Sequence, residues 1–367
     1  MVRVILVAGA RPNFMKIAPL MRAAESAGEI EYSLVHTGQH YDYEMSQAFF
    51  DDLGMGKPDY FLNAGSGSHA EQTASIMLEF EKVCLEYKPD WVLVVGDVNS
   101  TLACAIVSKK LHINVAHVEA GLRSFDRTMP EEINRLVTDS ISDLCYVTER
   151  SGEQNLLKEN HPQSRVHLVG HVMIDNLLYQ MKILEQFDAS AFAHAEDKPR
   201  VGPYAFMTLH RPANVDNASS LRSIVEAIGV VAEEMPVIFP VHPRTRKKID
   251  QFGMVLPENI VQLPPLGFRE SLWFWKDAQV VFTDSGGLQE ETTALGIPCV
   301  TIRENTERPV TVEVGTNVLS GIATESILAA YEQAMEKRKN SGIPEKWDGK
   351  ASERIWKILL DQHSKEV

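Results

Sequence analysis

Residues 91–122 read WVLVVGDVNSTLACAIVSKKLHINVAHVEAGL. Two apolar runs, WVLVV (91–95) and NVAHV (114–118), flank a segment in which a helix begins near Asn99 or Ser100. The runs are continuous rather than alternating, as expected of strands covered on both faces. Strand, helix, strand in that order makes a parallel pair joined by a right-handed crossover. After each run the character changes abruptly, to Gly96-Asp97-Val98-Asn99-Ser100 and to Glu119-Ala120-Gly121-Leu122-Arg123. Open parallel sheets bind ligands at the carboxyl ends of their strands, so these positions bear on function.

The same alternation extends in both directions. VRVILVA (2–8), YSLVHT (32–37), LCYVT (144–148) and VHLVG (166–170) complete a first series of strands. YAFMTL (204–209), VIFPV (237–241), NIVQL (259–263), QVVFT (279–283) and PCVTI (298–302) form a second. Helical patterns over 15–27, 70–87, 131–142, 172–186, 218–234 and 287–295 lie between them. The chain of 367 residues is too long for one ordinary core and suits two domains. The break between the series is weak. Residues 186–203 carry Ala, Asp and two Pro with little periodicity, but the boundary falls earlier, near Gly170. The domains are therefore 1–170 and 171–349, with a last helix, about 350–367, packing back on the first.

The formal net charge of −14 and the lack of a Lys/Arg-rich block argue against a nucleic-acid partner. An anionic ligand needs a local cluster of donors, because the overall field repels it. No apolar run reaches the length of a membrane span. The opening MVRVILVAGARPNF reads as a strand running into a loop rather than a signal peptide. The four cysteines form no CxxC pair and read as reduced core residues of a cytoplasmic protein.

The ends of the other strands are also unusual. Gly9-Ala10-Arg11-Pro12, with Lys16 a turn later, succeeds the first strand, and Gly38-Gln39-His40 the second. In the second series come His210-Arg211-Pro212, His242-Pro243-Arg244, Asp284-Ser285-Gly286-Gly287 and Arg303 to Pro309. Asp284-Ser285-Gly286-Gly287 opens a helix, where free backbone N–H groups suit a phosphate; a plain Asp or Ser cap is the ordinary alternative. Glu290 and Glu291, a turn in, could accept from ribose hydroxyls or simply favour the positive helix end. Asp97 follows a very apolar strand, where desolvation tunes a carboxylate for proton transfer; alone, it reads more readily as a cap for the helix beginning near Asn99 or Ser100. Glu119 has no such alternative, because Ala-Gly-Leu-Arg is not a helix start. Glu131 and Glu132 come after Pro130, as helix-start chemistry commonly has it. Arg123 and Arg135 are candidate partners that orient Glu119 and Glu131. The histidines are scattered, without HExxH or paired spacing, so no metal is expected. No GxGxxG, GxSxG or Walker A stretch occurs. Trp273, Phe274 and Trp275 read as packing.

GARPNFMKIAPL, TGQH, GDVNSTLA, HVEAGLR, MPEEINR, LHRPANVD, PVHP, TDSGGLQEE and ENTERP stand in that order. Over nearly its whole length the chain resembles the non-hydrolysing UDP-N-acetylglucosamine 2-epimerases. The resemblance implies an α/β fold of two Rossmann-like domains with parallel sheets facing across a cleft, a GT-B-like architecture. It implies interconversion of UDP-N-acetylglucosamine and UDP-N-acetylmannosamine by a homodimer without redox cofactor or essential metal. UDP leaves C1 as the C2 proton is removed, giving a 2-acetamidoglucal; UDP then adds back and C2 is reprotonated on the other face. Carried over by motif, Asp97, Glu119 and Glu131 are the catalytic carboxylates, Asp97 as base and Glu131 or Glu119 as acid. Arg11, Lys16, His210 and Arg308 lie near the diphosphate, Ser285, Gly286 and Gly287 cradle phosphate, Glu291 accepts from ribose, and His242 lines the cleft. Gln39 and His40 match a loop that binds an activating UDP-sugar in some members. Asn13 replaces a frequent Glu, and the segment from Glu119 to Pro130 is shorter than in well-known members. YDYEMSQAFFDDLG through SGSHAEQT resembles a subgroup that includes epimerases of UDP-2,3-diacetamido uronic sugars. That substrate, a glycosyltransferase, a nucleotide-sugar sensor and a hydrolysing epimerase are the competing readings.

Overall fold

In the first part of the chain, seven strands assemble into one parallel sheet: β1 (Val2–Ala8), β2 (Ile30–His36), β3 (Tyr60–Phe61), β4 (Trp91–Val95), β5 (Asn114–Val118), β6 (Leu144–Val147) and β7 (Val166–Leu168). Their order is β3-β2-β1-β4-β5-β6-β7. Every residue of β4 is buried, because helices cover both faces of the sheet. These are α1 (Arg11–Ala27), α2 (His69–Tyr87), α3 (Asn99–Lys110), α4 (Pro130–Ile141), α5 (Arg150–Lys158) and α6 (Val172–Leu184). Ile5, Val7, Val92 and Val94 pack with Ile76 and Phe80 of α2 and Val107 of α3. The strand order reverses between β1 and β4. The switch point therefore lies between the Gly9 loop and the Gly96-Asp97 loop, where such sheets hold ligands.

The second sheet has six parallel strands in the order β10-β9-β8-β11-β12-β13. They are β8 (Ala205–Thr208), β9 (Val237–Pro240), β10 (Ile260–Leu263), β11 (Val280–Thr283), β12 (Cys299–Thr301) and β13 (Asn317–Leu319). Its helices are α7 (Pro212–Val215), α8 (Ala218–Glu234), α9 (Pro243–Gln251), α10 (Phe268–Trp275), α11 (Gly286–Leu295), α12 (Pro309–Glu313) and α13 (Thr324–Lys337). Met207, Phe239, Phe282 and Val300 pack with Ile224 and Ile228 of α8 and Ile327 of α13. The switch point here lies between β8 and β11, next to His210 and Ser285.

This computed structural model describes residues 1–9, 11–38, 50, 52–65, 67–199 and 202–366, with Arg11, Pro12 and Glu366 described by backbone alone. Gln39 and His40 lie outside the described residues. The chain divides into two compact units, Met1–Tyr179 with Glu345–Val367, and Gln180–Pro344. A last helix, α14 (Ala351–Glu366), belongs to the first unit. Asp175 caps it by accepting from Ala351 N (3.0 Å) and Ser352 N (2.7 Å). The Trp356 indole is buried and donates to Leu20 O at 2.8 Å. Gly170 (φ 94°) lets the returning chain pass, since a side chain there would strike the Lys346 carbonyl. Among the described residues, no helix is long and apolar enough to cross a membrane. The four cysteines are buried free thiols.

Candidate active site

In the first unit the strand ends converge on two carboxylates. Gly96 leaves β4 with φ 73°, a turn that glycine adopts without strain. Glu119 leaves β5 with φ 72°, which a side chain disfavours. It is held there because its own N–H and that of Ala120 both donate to Tyr146 O, at 3.0 and 3.1 Å. Glu119 is 1% exposed. The Lys16 ammonium, on α1, pairs with its Oε2. Arg135, on α4, places Nη2 at 2.5 Å from Asp97 Oδ2 and 3.8 Å from Glu119 Oε1. One guanidinium thus stands between both acids. Asn134 donates to Asp97 O (2.9 Å) and Asn99 Oδ1 (3.1 Å), fixing the loop.

Asp97 is not the cap of α3. That position is Val98, which makes no side-chain cap bond, and the Asp97 carboxylate serves Arg135 instead. Glu131 is exposed on the first turn of α4, and its neighbour Glu132 is buried. Glu132 accepts from Ser124 N (2.8 Å), Ser124 Oγ (2.9 Å) and Phe125 N (3.2 Å), so it anchors the preceding loop rather than a substrate. Arg123, expected to orient Glu119 or Glu131, does neither. It pairs with Asp139 Oδ2 at 2.7 Å and with Glu159 at 2.6 Å, because the chain turns at Gly121 onto the Asp139 carboxylate. Lys16, expected near a diphosphate, is committed to Glu119.

In the second unit the pattern is reversed: buried carboxylates hold basic side chains. Asp284, fully buried at the end of β11, accepts from His210 N (2.9 Å), Arg211 N (2.7 Å) and Asn214 Nδ2 (3.2 Å). Its Oδ1 lies 3.0 Å from His210 Nδ1. Burial pushes the Asp284 carboxyl up, but His210 and the backbone donors outweigh it and hold it below its ordinary value. The His210 and His242 rings stand 5.6 Å apart. His242 caps α9, its Nδ1 accepting from Arg244 N at 3.2 Å, which leaves the proton on Nε2. Burial, then the nearby His210, depresses its pKa.

Ser285 is the N-cap of α11, but its hydroxyl makes no cap bond; its N–H donates to Thr283 Oγ1 at 3.0 Å. Gly286 and Gly287 form the first two helical positions, and a side chain at Gly286 would meet nothing. Those orphan helix-start amides suit an anion. Glu290 pairs with Arg308. Glu291 is pushed up to about 8, by burial first and by Glu290 second. Gln289 Oε1 accepts from Thr306 Oγ1 (2.7 Å) and Asn317 Nδ2 (3.1 Å), tying α11 to the loop that carries Arg308. Trp273 stacks on Phe192, with ring centroids 4.8 Å apart, a packing role. Among the described residues no group of three or more His, Cys, Asp or Glu could hold a metal ion.

Two doubly wound parallel sheets with functional groups at their strand ends define an α/β protein of two Rossmann-like units. The model of the UDP-N-acetylglucosamine 2-epimerase family matches residues 22–360, and the chain belongs to that family. It is 43% identical over 360 residues to the UDP-N-acetylglucosamine 2-epimerase of Methanocaldococcus jannaschii, covering 96% of this chain and 98% of that one. It is 39% identical to the UDP-2,3-diacetamido-2,3-dideoxy-D-glucuronate 2-epimerase of Pseudomonas aeruginosa, covering 97% and 99%. The crystal structure of the M. jannaschii enzyme with UDP-GlcNAc and UDP superposes with a TM-score of 0.84, covering 98% of this chain and all of that one.

Proposed function

We propose that the protein interconverts UDP-N-acetylglucosamine and UDP-N-acetylmannosamine. The observation that carries this is the shared grip of Arg135 on Asp97 and Glu119. The C2 hydrogen of the sugar is not adjacent to a carbonyl, so its removal must accompany loss of a leaving group. Asp97, partly exposed, takes the C2 proton while the C1–O bond breaks and its electron pair leaves with UDP. The C–H electrons become the C1=C2 double bond of 2-acetamidoglucal. UDP oxygen then re-forms the C1–O bond, and a carboxylic acid returns a proton to the opposite face of C2. Glu131, open to solvent, suits the acid. Glu119, between Lys16 and Arg135, suits a fixed charge that holds these cations. Acid–base groups of this kind contribute about 10²–10⁴-fold each.

The second unit supplies the grip on UDP. His210, His242, Arg308 and the amides of Ser285, Gly286 and Gly287 stabilise the charge that develops on the departing diphosphate. Glu291 accepts from the ribose. The protein acts as a homodimer in the cytoplasm, whose reducing conditions suit its buried free thiols.

The likeness to the P. aeruginosa enzyme supports a second reading, in which the substrate is a UDP-2,3-diacetamido uronic sugar. One experiment separates these readings. Candidate UDP-sugars are incubated with the protein in heavy water without any acceptor. Deuterium at C2 of UDP-N-acetylglucosamine, with the nucleotide-sugar conserved, supports the main reading. Exchange confined to the uronic sugar selects the second. No exchange in any sugar rejects both, and release of free N-acetylmannosamine selects the hydrolysing epimerase.

A further inference from the structure

Helix α4 is inside out. It buries Glu132, Asn134, Arg135, Thr138 and Asp139 and exposes Ile133 and Val137. Buried polar groups are tolerated only when paired. Arg135 and Asn134 serve the Asp97 loop and Glu132 anchors residues 124–125, but Asp139 touches neither catalytic carboxylate. It is fully buried. Its Oδ1 lies 2.6 Å from His117 Nδ1. Its Oδ2 accepts from Gly121 N at 3.1 Å and from Arg123 at 2.7 Å. The far side of the His117 ring, Nε2, lies 2.8 Å from Gly96 O.

These bonds reach both turns that carry the acids. Gly96 precedes Asp97. His117 and Gly121 stand two residues before and two after Glu119, whose left-handed backbone needs support from its surroundings. Gly96 O can only accept, so His117 Nε2 donates. Burial pushes the Asp139 carboxyl up, but His117 and Arg123 outweigh it and hold it below its ordinary value. We propose that Asp139 and His117 form a positioning pair: one buried carboxylate, acting through one imidazole, sets the spacing of Asp97 and Glu119. This rests on the epimerase reading and adds residues to it. The pair touches no substrate; it acts through the two turns.

The test begins by establishing C2 exchange in the unaltered enzyme, whose absence would defeat the epimerase reading rather than this one. Asp139→Asn keeps the size of the side chain and removes its charge. The expected result is a kcat at least about 10-fold lower per folded molecule, because small misplacements of reacting groups are costly. UDP affinity and KM are expected to stay within about threefold, since the UDP-gripping residues of the second unit are untouched. A lower melting temperature with unchanged kcat would show Asp139 to be structural only and overturn the inference. Should Asp139→Asn not fold, His117→Gln carries the same expectation, because an amide cannot span both acceptors. The unaltered protein gives an independent readout. Nitrogen-15 NMR of the His117 ring is expected to show a protected, hydrogen-bonded Nε2–H, and a ring whose Nε2 carries no hydrogen would overturn the inference.

Discussion

The two units use one layout with opposite polarity. At the strand ends of the first, carboxylates are the working groups and cations hold them: Arg135 on Asp97, and Lys16 on Glu119. In the second, basic side chains are the working groups and carboxylates hold them: Asp284 on His210, and Glu290 on Arg308. An acid that must move a proton needs a fixed direction, and a donor that must meet a diphosphate needs the same. Burying the holder rather than the worker achieves this in the second unit, where Asp284 is fully buried while the His210 side chain is 40% exposed. In the first unit Asp97 obeys that rule and Glu119 does not, since it is buried with its partner. This is the reason to read Glu119 as a fixed charge and Glu131 as the proton donor.

The division of labour is sharpened most by changing the acids. Asp97→Asn is expected to lower turnover by at least about 10²-fold, the usual contribution of one acid or base, and Glu119→Gln to lower it as well, by releasing Lys16 and Arg135 from their shared charge. UDP affinity, measured by calorimetry, is expected to remain. Full turnover in both variants would remove the chemistry from the first unit. The converse change is Arg308→Gln, expected to weaken UDP binding by about 10–100-fold, the worth of a charge-assisted hydrogen bond. If it lowered turnover without weakening binding, grip and chemistry would not be divided between the units.

A smaller effect comes from Glu291. Its carboxyl, raised from 4.5 to about 8, stays protonated at neutral pH. Because the folded value lies above the unfolded one, its contribution to stability is fully present below about 4.5 and is lost as pH rises through about 8. A ribose hydroxyl donating to this group favours its ionised form. UDP-N-acetylglucosamine should therefore bind the inactive Asp97→Asn protein more tightly as pH rises from about 6 to about 8, releasing part of a proton. Calorimetry in buffers of different ionisation heat reads that release. Its absence would take Glu291 out of the ribose site.

Much of the fold is legible in the sequence because buried parallel strands are written as continuous apolar runs. WVLVV is β4 without a residue's change, and the 218–234 pattern is α8. Strands β3 and β13 are not legible: two and three residues carry no period. Among the site residues, Asp97 and Glu119 stand out because they come directly after apolar runs, and their meeting with Arg135 shows why that position matters. Asp284 shows in the sequence as a polar strand end and a possible helix cap, whereas His117 and Asp139 do not stand out as site residues. Their sole trace is polarity where burial is due: Glu132, Arg135 and Asp139 lie at spacings of three and four on the buried face of α4. Arg123 invites the wrong partner because its carboxylate, Asp139, lies a helix away in sequence and next to it in space.

The central claim is that the bond between C1 and the diphosphate oxygen breaks and re-forms while the C2 proton is exchanged. The most direct test places oxygen-18 in the bridge between C1 and the β-phosphorus of UDP-N-acetylglucosamine and runs the reaction in heavy water. Elimination and re-addition require that recovered nucleotide-sugar carries deuterium at C2 and that its label has scrambled into the non-bridging β-phosphate positions. Deuterium at C2 with the label still wholly in the bridge would contradict that claim.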